Sequence, residues 1–239
     1  MSDYTAGDDS LDLRAIAPIT PDAWAYAEGW LDDTEVIQEA RHLADDVGLI
    51  PVSHGTASLL TLLARLVGAG AVVEVGTGTG VSGAALLQGM TADGVLTSID
   101  LEGEHQRAAR EAFAALGYDH VRARLITGRA LEVLPRLSDQ AYDIVFVDAD
   151  KGEYPAILAQ ARRLLRVGGL VIFEQMLADA GIADPHRHDT DITALRHVVH
   201  TLRDEDHWQP ALLTIGRGLL VASLRHPLDD DSAATREKG

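Results

Sequence analysis

Apolar and polar positions fall into regular blocks along this chain. Five short apolar runs, at residues 71–75, 95–99, 121–126, 143–147 and 169–173, are each followed by a stretch with helical apolar spacing. Short apolar runs between turn residues predict buried strands, and the stretches between them predict amphipathic helices. Strand and helix in alternation predict an α/β fold with a parallel sheet. Upstream, helical patterns run from Thr34 to Asp46 and from Gly55 to Val67, the second leading directly into the first strand. Both are expected to flank or cap the sheet. Downstream, Asp191 to Arg203 predicts a further helix. Ala211 to Ile215 and Leu219 to Leu224, joined by Gly216-Arg217-Gly218, predict two strands antiparallel to each other at one edge, for seven strands in all.

The ends of the chain are polar, small or charged without apolar period. The expectation is therefore one folded domain over residues 15–226, with a helical cap at about 15–68, between a disordered segment 1–14 and a disordered acidic tail 227–239. A chain of 239 residues with 46% hydrophobic content suits one core rather than two. No apolar run approaches the ~20 residues of a membrane span, and the first ten residues lack the basic and apolar parts of a secretory signal. A cytoplasmic protein without membrane contact is expected. The absence of cysteine excludes disulfides, thiolate nucleophiles and cysteine-bound zinc. A formal net charge of −17 repels phosphate backbones and anionic lipid, which argues against nucleic-acid partners.

The chemistry concentrates in residues 72–100. Gly76-Thr77-Gly78-Thr79-Gly80 lies between a strand and a helix, where a backbone with few side chains can turn sharply and press against a ligand. Asp100 ends the next strand, 24 residues after Gly76, where a carboxylate can accept hydrogen bonds from two ribose hydroxyls. Together these predict a nucleoside cofactor with an unphosphorylated ribose. Gly78 to Gly83 also fits the G-x-G-x-x-G dinucleotide pattern, so the glycines alone leave a nicotinamide-dependent oxidoreductase open.

The wider pattern separates the two. Glu74 opens the glycine motif, the strand Tyr142 to Val147 runs into Asp148-Ala149-Asp150-Lys151 with Tyr154 nearby, and Leu213 to Leu219 reads LTIGRGL. In these features residues 34–224 resemble the small O-methyltransferases of the catechol and caffeoyl-CoA type. The resemblance implies a Rossmann-like class I methyltransferase fold, S-adenosylmethionine as cofactor, a small, aromatic hydroxyl compound as acceptor, and a homodimer. It further implies that Glu74, Gly76, Thr77 and Gly78 line the cofactor. Ser82 would bond its methionine carboxylate, assisted by the amides of the helix start. Asp100 would hold the ribose, Leu101, Arg129 and Ala130 would surround the adenine, and Val52 would close over the methionine end. Asp148 would lie beside the reacting methyl group.

In the resembling family a divalent cation often lowers the acceptor's pKa, held by the first aspartate of VDADK and an Asp-Asn pair ending the next strand. Asp148 matches, but Glu174-Gln175 stands where that pair is expected. Each arm is one methylene longer, which strains the near-ideal octahedron magnesium requires, so use of magnesium stays open. Without a metal, Asp148, Lys151 or His54 could act as base. Acids around Lys151 should raise its pKa, which favours Asp148. Loss of the metal site also leaves open a non-catalytic cofactor-binding relic or regulator. His186, His188 and Asp189 read as a polar loop with a helix cap rather than as a metal site. Trp24, Tyr26 and Trp30 suit an acceptor wall, a dimer contact or core packing.

Overall fold

The computed structural model describes residues 19–226. The expected disordered ends, and the expected start of the fold near Ala15, lie outside the described residues. The chain enters through α1 (Pro21–Glu28), α2 (Glu35–Asp46) and α3 (His54–Leu66). It then alternates through β1 (Ala71–Val75), α4 (Val81–Gly89), β2 (Val95–Asp100), α5 (Gly103–Ala115), β3 (Ala123–Thr127) and α6 (Ala130–Val133). The alternation continues with β4 (Tyr142–Val147), α7 (Tyr154–Leu164) and β5 (Leu165–Phe173), and the chain closes with α8 (Thr190–Asp204), β6 (Trp208–Leu213) and β7 (Leu219–Leu224). Side-chain caps set the helix starts. The Thr34 hydroxyl accepts from Ile37 N at 3.4 Å, the Ser53 hydroxyl from Thr56 N at 3.0 Å, and the Asp189 carboxylate from Ile192 N at 3.2 Å.

Among the described residues, seven strands form one sheet in the order β3-β2-β1-β4-β5-β7-β6. β1 to β5 run parallel, while β7 pairs antiparallel with both β5 and β6. The seven-stranded α/β expectation and its closing hairpin hold. Successive strand residues feed opposite faces: Val72, Ile144 and Phe146 pack with α2 to α5, and Val73, Val145 and Val147 pack with α7 and α8. Each such fully buried aliphatic or aromatic side chain contributes roughly 1.5–3 kcal/mol, so both faces anchor the central strands.

Three strand starts differ from expectation by two residues or more. β3 starts at Ala123 rather than residue 121, because the Asp119 carboxylate accepts from Val121 N and Arg122 N and turns that stretch. β5 starts at Leu165, with a register irregularity between Tyr142 and Ile144 of its partner. β6 starts at Trp208 and includes Pro210, which the outermost strand tolerates because one side of it is unpaired. The strand order reverses between β1 and β4, and the crevice over their carboxyl ends is where open α/β sheets bind ligands.

Candidate functional site

That crevice is built first from backbone. Gly76 leaves β1 at φ 98°, and a Cβ there would lie 1.9 Å from the Asp148 carbonyl oxygen. Only a residue without a side chain lets the ends of β1 and β4 come this close. Gly76 N donates to Ile99 O at 2.8 Å and Asp148 N donates to Val75 O at 2.9 Å, which ties the ends of β1, β2 and β4 together. The turn then delivers Ser82 into the first turn of α4.

Above it lies a cavity of about 550 Å³ whose lining includes Gly76, Thr77, Gly78, Ser82, Asp100, Leu101, Arg129, Ala130, Val52 and Asp148. These predicted positions come together as expected. The Asp100 carboxylate accepts from Gly78 N and from Glu102 N, both at 2.9 Å, so the acid also holds the glycine turn in shape. Arg129 pairs with Glu153 at 2.9 Å on the rim, and the Val52 carbonyl accepts from Arg41.

Glu74 departs from its expected position: it is fully buried beneath the cavity rather than on its lining. The Ser82 hydroxyl donates to it at 2.6 Å and the Ser98 hydroxyl at 2.5 Å. Burial pushes its carboxyl up to about 7, against these two hydrogen bonds and with help from the charges of Asp100 and Asp148. The physical reason for the displacement is strand alternation, which aims residue 74 at the helical layer of α4. Any influence of Glu74 on a ligand passes through Ser82.

A second cavity of about 150 Å³ adjoins the first. Ile50, Pro51, Val52, Asp148, Gln175 and Arg217 line both, and Trp24, Ser53, Glu174 and Gly216 complete the smaller one. Trp24 is 45% exposed, Tyr26 74% and Trp30 65%, and α1 buries none of its residues, so core packing does not explain these aromatics. Glu28 at the end of α1 accepts from Gly55 N at 2.9 Å and Gly216 N at 2.8 Å, fixing the Trp24 wall to α3 and to the β6–β7 turn.

Where the cavities meet, charge is concentrated. Burial pushes the Asp148 carboxyl up to about 6, opposed by the Gln175 hydrogen bond and the charges of Lys151 and Arg217. Glu174 is pushed up to about 8, chiefly by burial and then by the charges of Asp148 and Glu28. Among the described residues its buried Oε2 has no hydrogen-bond partner. Gln175, at φ 59°, donates through Nε2 to Asp148 at 2.9 Å, while its Oε1 accepts from Lys151 Nζ at 3.1 Å and Arg217 Nη1 at 3.2 Å.

Asp148, Glu174 and Gln175 are thus adjacent, yet they do not fit a divalent ion. Both lone pairs of the Gln175 oxygen are engaged by cations, and its opposite orientation would set NH₂ against two positive groups. A metal at ~2.0–2.1 Å from that oxygen would also sit close to both side-chain charges. Among the described residues no cluster of three or more His, Asp or Glu side chains forms a metal site. His54 lines neither cavity; its Nδ1 lies 3.1 Å from Asp33, which also binds Arg41, so the structure removes it from the candidate bases. Lys151 lines neither cavity and donates to Gln175 at the junction. Asp189 caps α8 and pairs with Arg187, as its loop context predicts.

The sequence reading missed Arg217 and Glu28 as site residues. A charge between two glycines in the closing turn was the available signal for Arg217. Glu28 had none, since its bond to Gly216 spans 188 positions.

Comparison with known proteins gives a consistent result. A family model described as O-methyltransferase matches residues 30–225. A Mycobacterium bovis relative provisionally named an O-methyltransferase is 43% identical over 92% of this chain and 98% of its own length. A crystal structure of a Corynebacterium glutamicum protein superposes with TM-score 0.79 at 32% identity, covering 84% of this chain and 95% of that one. The O-methyltransferase TomG of Streptomyces achromogenes, involved in tomaymycin synthesis and solved with S-adenosylmethionine, gives TM-score 0.79 at 26% identity, covering 86% of this chain and 98% of TomG.

Proposed function

This chain belongs to the O-methyltransferase family, and we propose that it transfers methyl from S-adenosylmethionine in the larger cavity to a hydroxyl of a small aromatic molecule in the smaller one. It is an S-adenosylmethionine-dependent O-methyltransferase, and the comparisons support that reading rather than a nicotinamide-dependent one. The observation that carries the two-cavity assignment is the shared wall of Ile50, Pro51, Val52, Asp148, Gln175 and Arg217, which brings both chambers to one point.

The larger chamber suits the cofactor: its volume is that of a typical small-molecule site, and the Gly76 turn presents bare backbone where a side chain would collide. When bound, S-adenosylmethionine supplies a methyl group on a positively charged sulfur. In this reading Asp100 holds the ribose hydroxyls, Ser82 and the first amides of α4 hold the carboxylate, and Leu101, Arg129 and Ala130 enclose the adenine. Gly76, Thr77 and Gly78 form the floor, Val52 covers the methionine end, and Glu74 orients Ser82.

Asp148 faces both chambers and receives the hydroxyl's hydrogen bond. A carboxyl near 6 is suited to accept a proton at neutral pH. The Trp24 indole offers a flat wall for an aromatic acceptor. The same proposal includes a single folded domain, a homodimer, supported by the exposed Tyr26, Trp30 and Leu31, and a cytoplasmic setting, consistent with the strongly acidic composition. Among the described residues no helix is long and apolar enough to cross a membrane.

Calorimetric titration with S-adenosylhomocysteine, using NAD as control, tests the reading. Micromolar binding of the first and no heat from NAD is expected. Binding of NAD alone would overturn it.

A further inference from the structure

The junction between the cavities holds two carboxyls, Asp148 and Glu174, and two cations, Lys151 and Arg217, gathered around the Gln175 amide. Both cations already engage the Gln175 oxygen, so a divalent ion at that oxygen would add positive charge beside two other positive groups. We propose that Arg217 itself supplies the positive charge to the acceptor oxygen, with Lys151 and Gln175 holding the cluster together, and that this chain methylates without a metal ion at this site. The inference rests on the two-cavity reading above.

Arg217 is placed for that role. It lines both chambers, whereas Lys151 lines neither. Its guanidinium stays charged at any working pH and presents several donors in one plane. The turn that carries it is held by main-chain bonds: Leu177 N donates to Arg217 O at 3.1 Å, Met176 N to Gly218 O at 2.8 Å, and Gly218 N to Ile215 O at 2.8 Å. Glu28 adds a bond from Gly216 N. A cation fixed before the acceptor arrives needs no rearrangement as negative charge grows on the oxygen. Gln175 contributes the opposite constraint. Its backbone lies in the left-handed region that a long side chain rarely adopts, a strain of the kind that accumulates at functional sites. That conformation aims Oε1 at the two cations and Nε2 at Asp148.

The test uses 4-nitrophenol, whose phenolate form absorbs at longer wavelength and which does not chelate metals, in the presence of saturating S-adenosylhomocysteine. In EDTA the wild type is expected to bind the probe and shift it towards the phenolate, with magnesium making no difference. Arg217→Gln should bind at least tenfold more weakly, and Arg217→Lys should recover part of the shift. A shift that requires magnesium, no shift in either buffer, or an undiminished shift in Arg217→Gln each overturns the inference. If Arg217→Gln folds poorly, manganese electron paramagnetic resonance on the wild type decides: only free ion is expected, and protein-bound manganese refutes the proposal. Failure to bind S-adenosylhomocysteine would instead defeat the cofactor assignment.

Discussion

The two chambers of the cleft are made of different material. The larger one is built over the Gly76 turn and the start of α4, where an added Cβ at Gly76 would meet backbone, with Asp100 bracing that turn through Gly78 N. The smaller one is lined by Trp24, Asp148, Glu174 and Arg217, which come from four separate segments, and by residues 50–53. A surface of backbone requires particular residues at adjacent positions, because an added Cβ collides. A surface assembled from distant segments sets no such local requirement. The larger chamber is therefore legible as a local motif, and the smaller one depends on contacts between distant segments.

The sharpest way to break the backbone half is Gly76→Ala. The new Cβ would meet the Asp148 carbonyl at 1.9 Å in a conformation with φ 98°, so β1 and β4 must separate. We expect a loss of roughly 3 kcal/mol or more in denaturant unfolding, with loss of S-adenosylhomocysteine binding. A stable variant that binds normally would mean the turn is not tight. Next in size is Asp100→Ala, which removes both the proposed ribose contact and the brace on Gly78. Calorimetry should show S-adenosylhomocysteine binding weakened by about 1–3 kcal/mol. Unchanged affinity in a folded variant would take Asp100 out of the site.

The difference between the chambers also explains what the sequence made readable. Strand and helix alternation, the switch point and the glycine turn all follow from local spacing, and the larger cavity assembles from the residues named for it. Glu74 was recognisable as important but not as buried beneath Ser82, because motif reading gives position along a strand and not depth below a surface. His54 opens the helix that leads to β1, yet its ring pairs with Asp33. The charged junction was half legible. The change to Glu174-Gln175 was plain, but its consequence depends on Arg217 arriving from the hairpin 42 residues after Gln175, and no local pattern announces that contact.

The smallest effect probes the smaller chamber through its stability. Glu174 rises from an ordinary 4.5 to about 8 on folding, chiefly through burial. Below 4.5 both folded and unfolded chains hold its proton; between the two values only the folded chain does. Folding stability from this group is therefore fully present at low pH, declines as pH rises above 4.5, and is lost once pH passes about 8. Glu74 and Asp148 follow the same sign, but their values of about 7 and about 6 end their contributions sooner. Between pH 7 and 8 Glu174 is accordingly the main group of the three still shedding stability, at up to about 1 kcal/mol per pH unit. Glu174→Gln keeps the shape and carries no titrating proton, so its unfolding free energy should stay nearly level across that interval while the wild type falls. Parallel curves for the two proteins would mean that Glu174 is already ionised in the folded chain. The Arg217 side of the junction would then dominate its electrostatics more than burial does.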